Sequence, residues 1–192
     1  MENLFDSQTK VRLLKLFLRN PGRYFPQKEI IRKNQPNMAQ VSRQLGNLLK
    51  IGFIKHKLMR QSKIAEAGIH LSVNPDFEFY QELRSLVLKS SPTSKEKILK
   101  KVQALGSIKM ILLAGIFLNS ENSRVDLFIV GDHVKERKLR SYLRELELEV
   151  GKEIEFALLS TKEFYYRYQM FDRFVHDILE KPNEKLVNKL KV

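Results

Sequence analysis

One stretch of the chain decides the fold: Asn37-Met-Ala-Gln-Val-Ser-Arg-Gln-Leu-Gly-Asn-Leu-Leu-Lys-Ile-Gly-Phe-Ile-Lys-His-Lys57. At about 100° per residue, its apolar side chains share one arc of a helix. They are Met38, Val41, Leu45, Leu48 and Leu49. The opposite side is polar and carries no acid. Its residues, at i, i+3, i+4 and i+7, are Gln40, Arg43, Gln44 and Asn47. Arginine pairs bidentately with guanine, and Asn or Gln with adenine, so this stripe suits base edges in a major groove; it equally suits a solvated helix face.

Local signals place this helix third in a series. Ser7 is an N-cap for a first helix over residues 7–20, which stops at Asn20-Pro21-Gly22. A short second helix over residues 27–33 follows Pro26, which is tolerated as a first helical residue. Asn37 caps the third helix, and Gly52 ends it as the C′ residue. Residues 53–57 and 69–73 then predict a hairpin with a basic tip.

Helix, helix, turn, helix and basic hairpin, over roughly residues 7–75, resemble a winged helix-turn-helix domain. The specific segments are Val41-Ser42-Arg43-Gln44-Leu45 and Leu48-Leu49-Lys50-Ile51-Gly52-Phe53-Ile54, which look like the recognition-helix-to-wing segment of bacterial and archaeal regulators. The long loop with Ala65-Glu66-Ala67 and Gly68 departs from the family pattern and includes an acid.

This resemblance implies that the third helix enters the major groove of DNA and that the wing touches the DNA backbone or minor groove. It implies contacts to bases or nearby phosphates from five helix residues: Gln40, Ser42, Arg43, Gln44 and Asn47. It implies phosphate contacts from four wing residues: Lys57, Arg60, Gln61 and Lys63.

The charge distribution favours a polyanionic partner for the same region. The 192 residues include 35 Lys+Arg and 22 Asp+Glu, a formal charge of +13. Residues 1–74 hold 14 basic and 4 acidic residues, a net charge of +10, whereas residues 75–192 hold 21 and 18, a net of +3. The basic excess therefore lies in the same part of the chain as the polar helix stripe.

Other compositional features exclude whole classes of site. The chain has no cysteine, which excludes disulfides, thiolate metal sites and a cysteine nucleophile. Apolar runs such as residues 110–114 are too short to cross a bilayer, and the opening residues lack a secretory pattern, so we expect a cytoplasmic protein without membrane association. The Lys-rich residues 185–192 are expected to fray.

The remaining sequence predicts a second domain. Residues 77–88 read as a connecting helix, and the Ser/Pro-rich residues 90–94 mark a break. Strands are expected over residues 108–114, 125–130 and 154–159, and helices over residues 94–105, 135–150, 161–168 and 174–179, with Ser94 and Thr161 as caps. The predicted fold is α+β with a mixed sheet in the second domain. The predicted domains are residues 1–75, a connecting helix and linker over 76–93, and residues 94–192.

The second domain contains two segments that resemble the start of a minimal nucleotidyltransferase domain, a likeness that covers residues 95–180 in outline. They are Leu112-Leu113-Ala114-Gly115-Ile116-Phe117-Leu118-Asn119 and Arg124-Val125-Asp126-Leu127-Phe128-Ile129-Val130. In that family a strand ends in Gly-Ser and the next opens with Asp-x-Asp, whose carboxylates hold Mg²⁺ against a nucleoside triphosphate. Here Gly115 matches, but Ile116 replaces the serine and Arg124 the first aspartate. Asp126 remains, with Glu155 as a further acid on the third strand.

These exchanges predict a domain without catalysis. Two-metal phosphoryl transfer needs several acidic oxygens around the cations, and Arg124 removes one ligand and changes the local charge by two units. Gly115, Arg124 and Asp126 are retained as a nucleotide-binding hypothesis without metal, in which Arg124 holds a phosphate. The alternative is a purely structural role, in which Asp126 is a strand-edge acid paired with Arg124 or Lys109. Magnesium and nucleotide are cofactors only if the transferase is active.

Two further groups have weaker functional interpretations. His56 and His70 are placed to face each other across the hairpin, but a metal site needs a third ligand that the sequence does not supply. The aromatic residues between 164 and 174 suit either stacking on single-stranded bases or packing, and their helical spacing favours packing. No Ser/His/Asp order or Gly-rich phosphate loop supports another enzyme class.

The sequence thus favours a sequence-specific regulator that binds double-stranded DNA, most economically as a homodimer. Its second domain is expected to serve dimerisation or the sensing of a nucleotide or small-molecule effector. The alternatives are a Mg²⁺-dependent nucleotidyltransferase targeted by its winged helix, and a module that binds protein partners.

Overall fold

The computed structural model describes residues 7–34, 37–61, 67–89, 94–120 and 122–192. The chain divides into two compact units, residues 1–90 with 148–152, and residues 91–147 with 153–192. One unit holds a three-stranded sheet and the other a four-stranded mixed sheet. The predicted α+β class with a mixed sheet is therefore confirmed.

Three helices open the first unit: α1 (Gln8–Arg19), α2 (Gln27–Lys33) and α3 (Met38–Lys50). The Ser7 hydroxyl accepts a hydrogen bond from the Lys10 amide at 3.2 Å, which confirms the predicted cap of α1. Pro26 stands at the N-cap of α2 and not within its first turn. Asn37 is at the N-cap position of α3, but its side chain accepts no capping hydrogen bond from that helix.

The end of α3 is set by Gly52. Its φ of +76° is a left-handed conformation that suits glycine, since no Cβ clashes with the carbonyl. The Gly52 amide donates to Leu49 and the Phe53 amide to Leu48, each at 3.0 Å. These two bonds form a Schellman motif, so the predicted C′ role of Gly52 is confirmed.

The sheet of the first unit has the order β1-β3-β2, with β1 (Phe25–Pro26), β2 (Ile54–Met59) and β3 (Gly68–Val73) all antiparallel. The sequence did not predict β1. In the register of β2 and β3, His56 lies opposite Leu71, and His70 lies opposite Lys57. Because successive side chains in a strand alternate between faces, His56 and His70 lie on opposite faces, and the predicted histidine pair is wrong.

The core of the first unit is formed by α1, α3 and one face of the sheet. From α3 it takes Val41, Leu45 and Leu48, all of which are buried. Met38 is 42 % exposed, so the apolar arc of α3 begins one turn later than the sequence indicated.

Helix α4 (Tyr80–Lys89), expected as a connector, contributes Tyr80 and Val87 to the same core. Its main chain also engages the end of α1, because the buried Arg19 donates from Nη2 to the Val87 carbonyl at 3.2 Å. Burial lowers the pKa of Arg19, since the charged guanidinium is desolvated.

The second unit contains the other elements in chain order. They are α5 (Lys95–Gln103), β4 (Ser107–Leu113), a short 3-10 turn (Gly115–Phe117), β5 (Leu127–Asp132), α6 (Glu136–Val150), β6 (Phe156–Leu159), α7 (Thr161–Gln169), α8 (Arg173–Glu180) and β7 (Glu184–Asn188). The last residues of α6 group with the first unit. The sheet order is β6-β5-β4-β7; β5 and β6 are parallel, and the other pairs are antiparallel.

The Lys-rich C-terminal segment is ordered, which corrects the expectation that residues 185–192 fray. Strand β7 pairs with β4, placing Val187 opposite Ile111. The Lys189 amide continues the pairing with a 2.8 Å hydrogen bond to the Lys109 carbonyl. Val187 and Leu190 are buried, so apolar side chains hold a segment whose lysines face solvent.

Helix α7 is capped by Ser160 and not by Thr161. The Ser160 hydroxyl accepts from the Glu163 amide at 3.1 Å. Thr161, the predicted cap, is the first helical residue, and its hydroxyl instead donates to Asp132 at 2.6 Å. Across the ranges that the structure describes, no helix is long and apolar enough to cross a membrane.

Candidate nucleic-acid interface

The polar face of α3 is positioned by the burial of the opposite face. Since Val41, Leu45 and Leu48 pack into the core, the far side of the helix is turned to solvent. Four of the five predicted contact residues are exposed there: Gln40, Ser42, Arg43 and Asn47. They offer hydroxyl, amide and guanidinium groups along a helix that contains no acid.

Gln44, the fifth predicted contact residue, lies at the border of this face. It is only half-buried, yet its Oε1 atom is buried and has no hydrogen-bond partner among the described residues. The amide therefore points partly into the protein and not fully outward. The sequence predicted that Gln44 would be fully exposed. Periodicity gives only the angle of a residue around the helix, and Gln44 lies beside the buried Leu45.

Two exposed residues share this face without having been predicted. Gly46 and Lys50 both lie on the solvent side of α3. Lys50 adds a second positive charge about two turns after Arg43. Arg43 itself forms no ion pair with any residue in the described ranges, so its guanidinium is directed towards solvent without a carboxylate partner there.

The hairpin supplies further cations. Lys57, Arg60 and Gln61 are all exposed, and Lys57 Nζ lies 5.7 Å from the centre of the Tyr24 ring. This cation–π contact holds the lysine against the first unit while leaving its ammonium exposed. Lys63, the fourth predicted wing residue, lies outside the described residues.

The second predicted site has a different construction. Asp126 is 8 % exposed, and its two carboxylate oxygens accept hydrogen bonds from backbone amides. Oδ1 accepts from Ile116 at 2.8 Å, and Oδ2 accepts from Glu155 at 2.9 Å. These bonds fasten the turn after β4 to the start of β6. The expected partners Arg124 and Lys109 are thus replaced by main-chain donors in these two bonds.

Gly115 packs directly against the Asp126 carboxylate. Its φ is +48°, and a β-carbon built at this position would collide with Oδ1 of Asp126. The structure therefore brings Gly115 and Asp126 together in a packed contact. Glycine is required here by both the backbone conformation and the approach of the carboxylate.

Arg124 is engaged on another element. Its Nε donates to Oδ2 of Asp177 on α8 at 2.5 Å, and both side chains are partly exposed. This hydrogen bond is the main reason that the pKa of Asp177 lies below its ordinary value. The three residues predicted to bind a nucleotide thus split into a buried pair, Gly115 with Asp126, and a surface ion pair at Arg124.

A magnesium ion does not fit the residues around Asp126. A hard cation prefers several carboxylate oxygens around it, whereas Asp126 is a single buried carboxylate whose two oxygens each accept an amide hydrogen bond. No group of three His, Asp or Glu side chains within the described ranges is arranged to hold a metal ion.

A carboxylate that the sequence did not single out lies at the end of β5. Asp132 accepts hydrogen bonds from the Thr161 hydroxyl at 2.6 Å and from the Thr161 amide at 3.0 Å. The hydroxyl bond first, and then the amide bond, lower the pKa of Asp132. Its role is to fix the start of α7 against the sheet.

The aromatic residues of α7 and the following turn divide into two groups. Phe164 is buried and stacks on Tyr168 at 5.9 Å, and Tyr168 stacks on His176 at 5.1 Å between ring centres. Packing therefore accounts for Phe164 and Tyr168. Tyr166 and Phe171 remain largely exposed.

The two candidate places differ in what they can do chemically. The face of α3 presents hydrogen-bond donors and acceptors to solvent, whereas Asp126 is buried and its two oxygens accept hydrogen bonds from main-chain amides of the same unit. No family model, curated protein or solved structure matches the chain.

Proposed function

We propose that the chain is a sequence-specific DNA-binding transcriptional regulator in which α3 reads base edges in the major groove. The observation that carries this proposal is the exposed, acid-free face of α3, set opposite the buried Val41, Leu45 and Leu48. The first unit would then act as a winged helix-turn-helix domain. The order of its helices and hairpin supports this assignment. A regulator of this kind is proposed to be cytoplasmic.

Base discrimination would come from two residues one turn apart. The Arg43 guanidinium suits a bidentate pair with guanine O6 and N7, and the Asn47 amide suits adenine N6 and N7. A good pair of this kind contributes about 1–3 kcal/mol of discrimination. Gln40 and Ser42 extend the same surface, and Gln44 lies at its border with only part of its amide accessible.

The hairpin and the charge of the first unit would supply affinity. Lys57, Arg60, Gln61 and Lys63 are proposed to contact phosphates, which positions α3 without reading sequence. The net charge of +10 on residues 1–74 would release counterions from DNA on binding, so binding should weaken steeply with salt.

We further propose that the protein acts as a homodimer. One helix reads few base pairs, and two copies related by a twofold axis read two half-sites about one helical turn apart. The second unit is proposed to serve dimerisation or effector sensing without catalysis.

An effector phosphate at Arg124 would compete with the carboxylate of Asp177 for the guanidinium. The packed contact of Gly115 with Asp126 argues against a nucleotide held jointly by Gly115, Arg124 and Asp126. The rival Mg²⁺-dependent transferase would require further carboxylates beside Asp126, and among the described residues no group of three His, Asp or Glu side chains is arranged to hold a metal ion.

Selection of bound fragments from a random duplex pool tests the proposed function. We expect the full-length protein to enrich a palindromic motif whose half-sites are about one turn apart. The double variant Arg43→Ala/Asn47→Ala should lose that motif while keeping weak nonspecific binding. Absence of any enriched sequence with the wild-type protein would refute the assignment.

A further inference from the structure

Glycine occurs at an unfavourable position in α3. Gly46 is the ninth of the 13 residues in this helix and is exposed to solvent. Glycine in a helix interior is less stable than alanine, because it loses more backbone freedom on folding and shields the helix less from water. A residue that weakens its own helix needs a compensating reason.

The fold itself provides no such reason. The φ of Gly46 is not positive, so any residue can adopt its backbone conformation. A β-carbon built there would meet no atom within 4 Å. By contrast, a β-carbon at Gly106, Gly131 or Gly151 would press on a neighbouring backbone, which explains those three glycines.

The surroundings of Gly46 point to an external surface. Ser42 and Arg43 lie one turn before it, Asn47 is adjacent and Lys50 lies one turn after it, and all four are exposed. The missing side chain therefore leaves bare backbone near the middle of the acid-free face. Ser42 and Asn47 have short side chains, which reach a partner only if the helix axis comes close to it.

We propose that Gly46 is the point of closest approach between α3 and duplex DNA, and thereby a specificity-determining position. This inference rests on the proposed function. The bare backbone lets the helix settle deeply in the major groove, so that Asn47 reaches base edges that it could not reach over an intervening side chain. Gly46 makes no base-specific contact; it sets the depth at which Arg43 and Asn47 read.

The test uses Gly46→Ala and Gly46→Leu in the full chain, with the duplex enriched from the random pool as the probe. Both residues are better helix formers than glycine, so thermal unfolding midpoints should rise by about 1–4 °C. Affinity measured by fluorescence anisotropy should nevertheless fall, by about 10-fold for alanine and about 100-fold for leucine, since added bulk holds the helix away.

Ser85→Ala is the matched control. Ser85 is exposed on α4, and its replacement also raises helix propensity, but on a different helix from the polar face of α3. Its affinity for the duplex should equal that of the wild-type protein. If this control also lost affinity, helix stabilisation would explain the weaker binding of the Gly46 variants, and the proposed role of Gly46 would be overturned.

The remaining outcomes separate this inference from the proposed function. If Arg43→Ala weakens binding while both Gly46 variants bind as wild type, Gly46 does not set the depth of α3 in the groove. The proposal that α3 reads DNA is then unaffected. If the Gly46 variants lower the unfolding midpoint, the fold requires the glycine and the inference is overturned. If the wild-type protein binds no duplex, the proposed function fails, and the role of Gly46 fails with it.

Discussion

Asp126 occupies the space that a β-carbon would need at Gly115. The two residues, which in the sequence resemble the opening of a nucleotide-binding site, instead form a packed contact between the turn after β4 and the start of β5. The carboxylate then accepts one amide from that turn and one from Glu155 ahead of β6. This placement explains a buried aspartate in the second unit by its role in the fold.

A structural Asp126 predicts a loss of stability on substitution. Asp126→Asn replaces one acceptor oxygen by an NH₂ group that faces an amide donor, so the free energy of unfolding should fall by about 1–3 kcal/mol. Urea denaturation followed by circular dichroism measures this change. The exposed Asp76→Asn serves as the control and should leave the free energy unchanged. Equal stability of the two variants would contradict the fastening role.

The ion pair of Arg124 and Asp177 predicts a pKa change at the surface. Arg124→Gln removes the bond that most lowers the pKa of Asp177, so NMR titration of this carboxyl should show a pKa closer to the ordinary value of aspartate. Arg173→Gln is the control, because Arg173 acts only through a weaker Coulombic interaction and should move the pKa less. An unchanged pKa in Arg124→Gln would show that the pair does not form in solution.

The sign of the corresponding pH dependence follows from the lowered pKa. The stabilisation from the Asp177 carboxylate is fully present above its pKa in the unfolded chain. It is lost as the pH falls through the lower pKa of the folded protein. In Arg124→Gln this part of the acid dependence should shrink.

The contact of Thr161 with Asp132 predicts a second pKa change. Thr161→Val keeps the shape of the side chain but removes the hydroxyl that contributes most to the lowered pKa of Asp132, so that pKa should rise. Thr161→Ser retains a hydroxyl and should keep the pKa low. The same NMR titration distinguishes the two variants, and identical pKa values in both would argue against the hydroxyl bond.

The ends of α3 and α7 predict a stabilising substitution. Both helices end in a Schellman motif, but the left-handed residue is Gly52 in α3 and Phe171, with φ of +53°, in α7. Phe171 is 79 % exposed, so Phe171→Gly should relieve backbone strain at little loss of packing and stabilise the protein by about 0.5–1 kcal/mol. Gly52→Ala, the inverse change, should destabilise it. Destabilisation by Phe171→Gly would show that its stacking on His176 outweighs the strain.

Local signals predicted those parts of the fold that depend on local physics. The side chains of Ser7 and Ser94 cap their helices by accepting hydrogen bonds from the amides three residues later, and Gly52 ends α3 through its left-handed φ. Strand β7 was missed because its partner β4 lies more than 70 residues earlier in the chain, and its lysines conceal the buried Val187. The choice between Ser160 and Thr161 as a cap likewise depended on the distant Asp132.

The same distinction applies to the candidate sites. Burial of Val41, Leu45 and Leu48 fixes which side of α3 faces solvent, so periodicity predicted four exposed residues of the stripe. It could not predict that the Gln44 amide turns inward. The hydrogen bonds of Asp126 could not be predicted from the sequence, because the Glu155 amide comes close to Asp126 only when β6 pairs with β5.

The central claim is that the exposed face of α3 reads DNA sequence. Its most direct test compares wild type, Arg43→Ala/Asn47→Ala and a control, Arg137→Ala, for affinity to the selected duplex over a series of salt concentrations. Arg137 is exposed on α6, and its replacement removes one positive charge, as Arg43→Ala does. We expect the double variant to bind at least about 30-fold more weakly, the control to bind as wild type, and wild-type affinity to fall steeply with salt. Unchanged affinity of the double variant, or binding that is insensitive to salt, would contradict the claim.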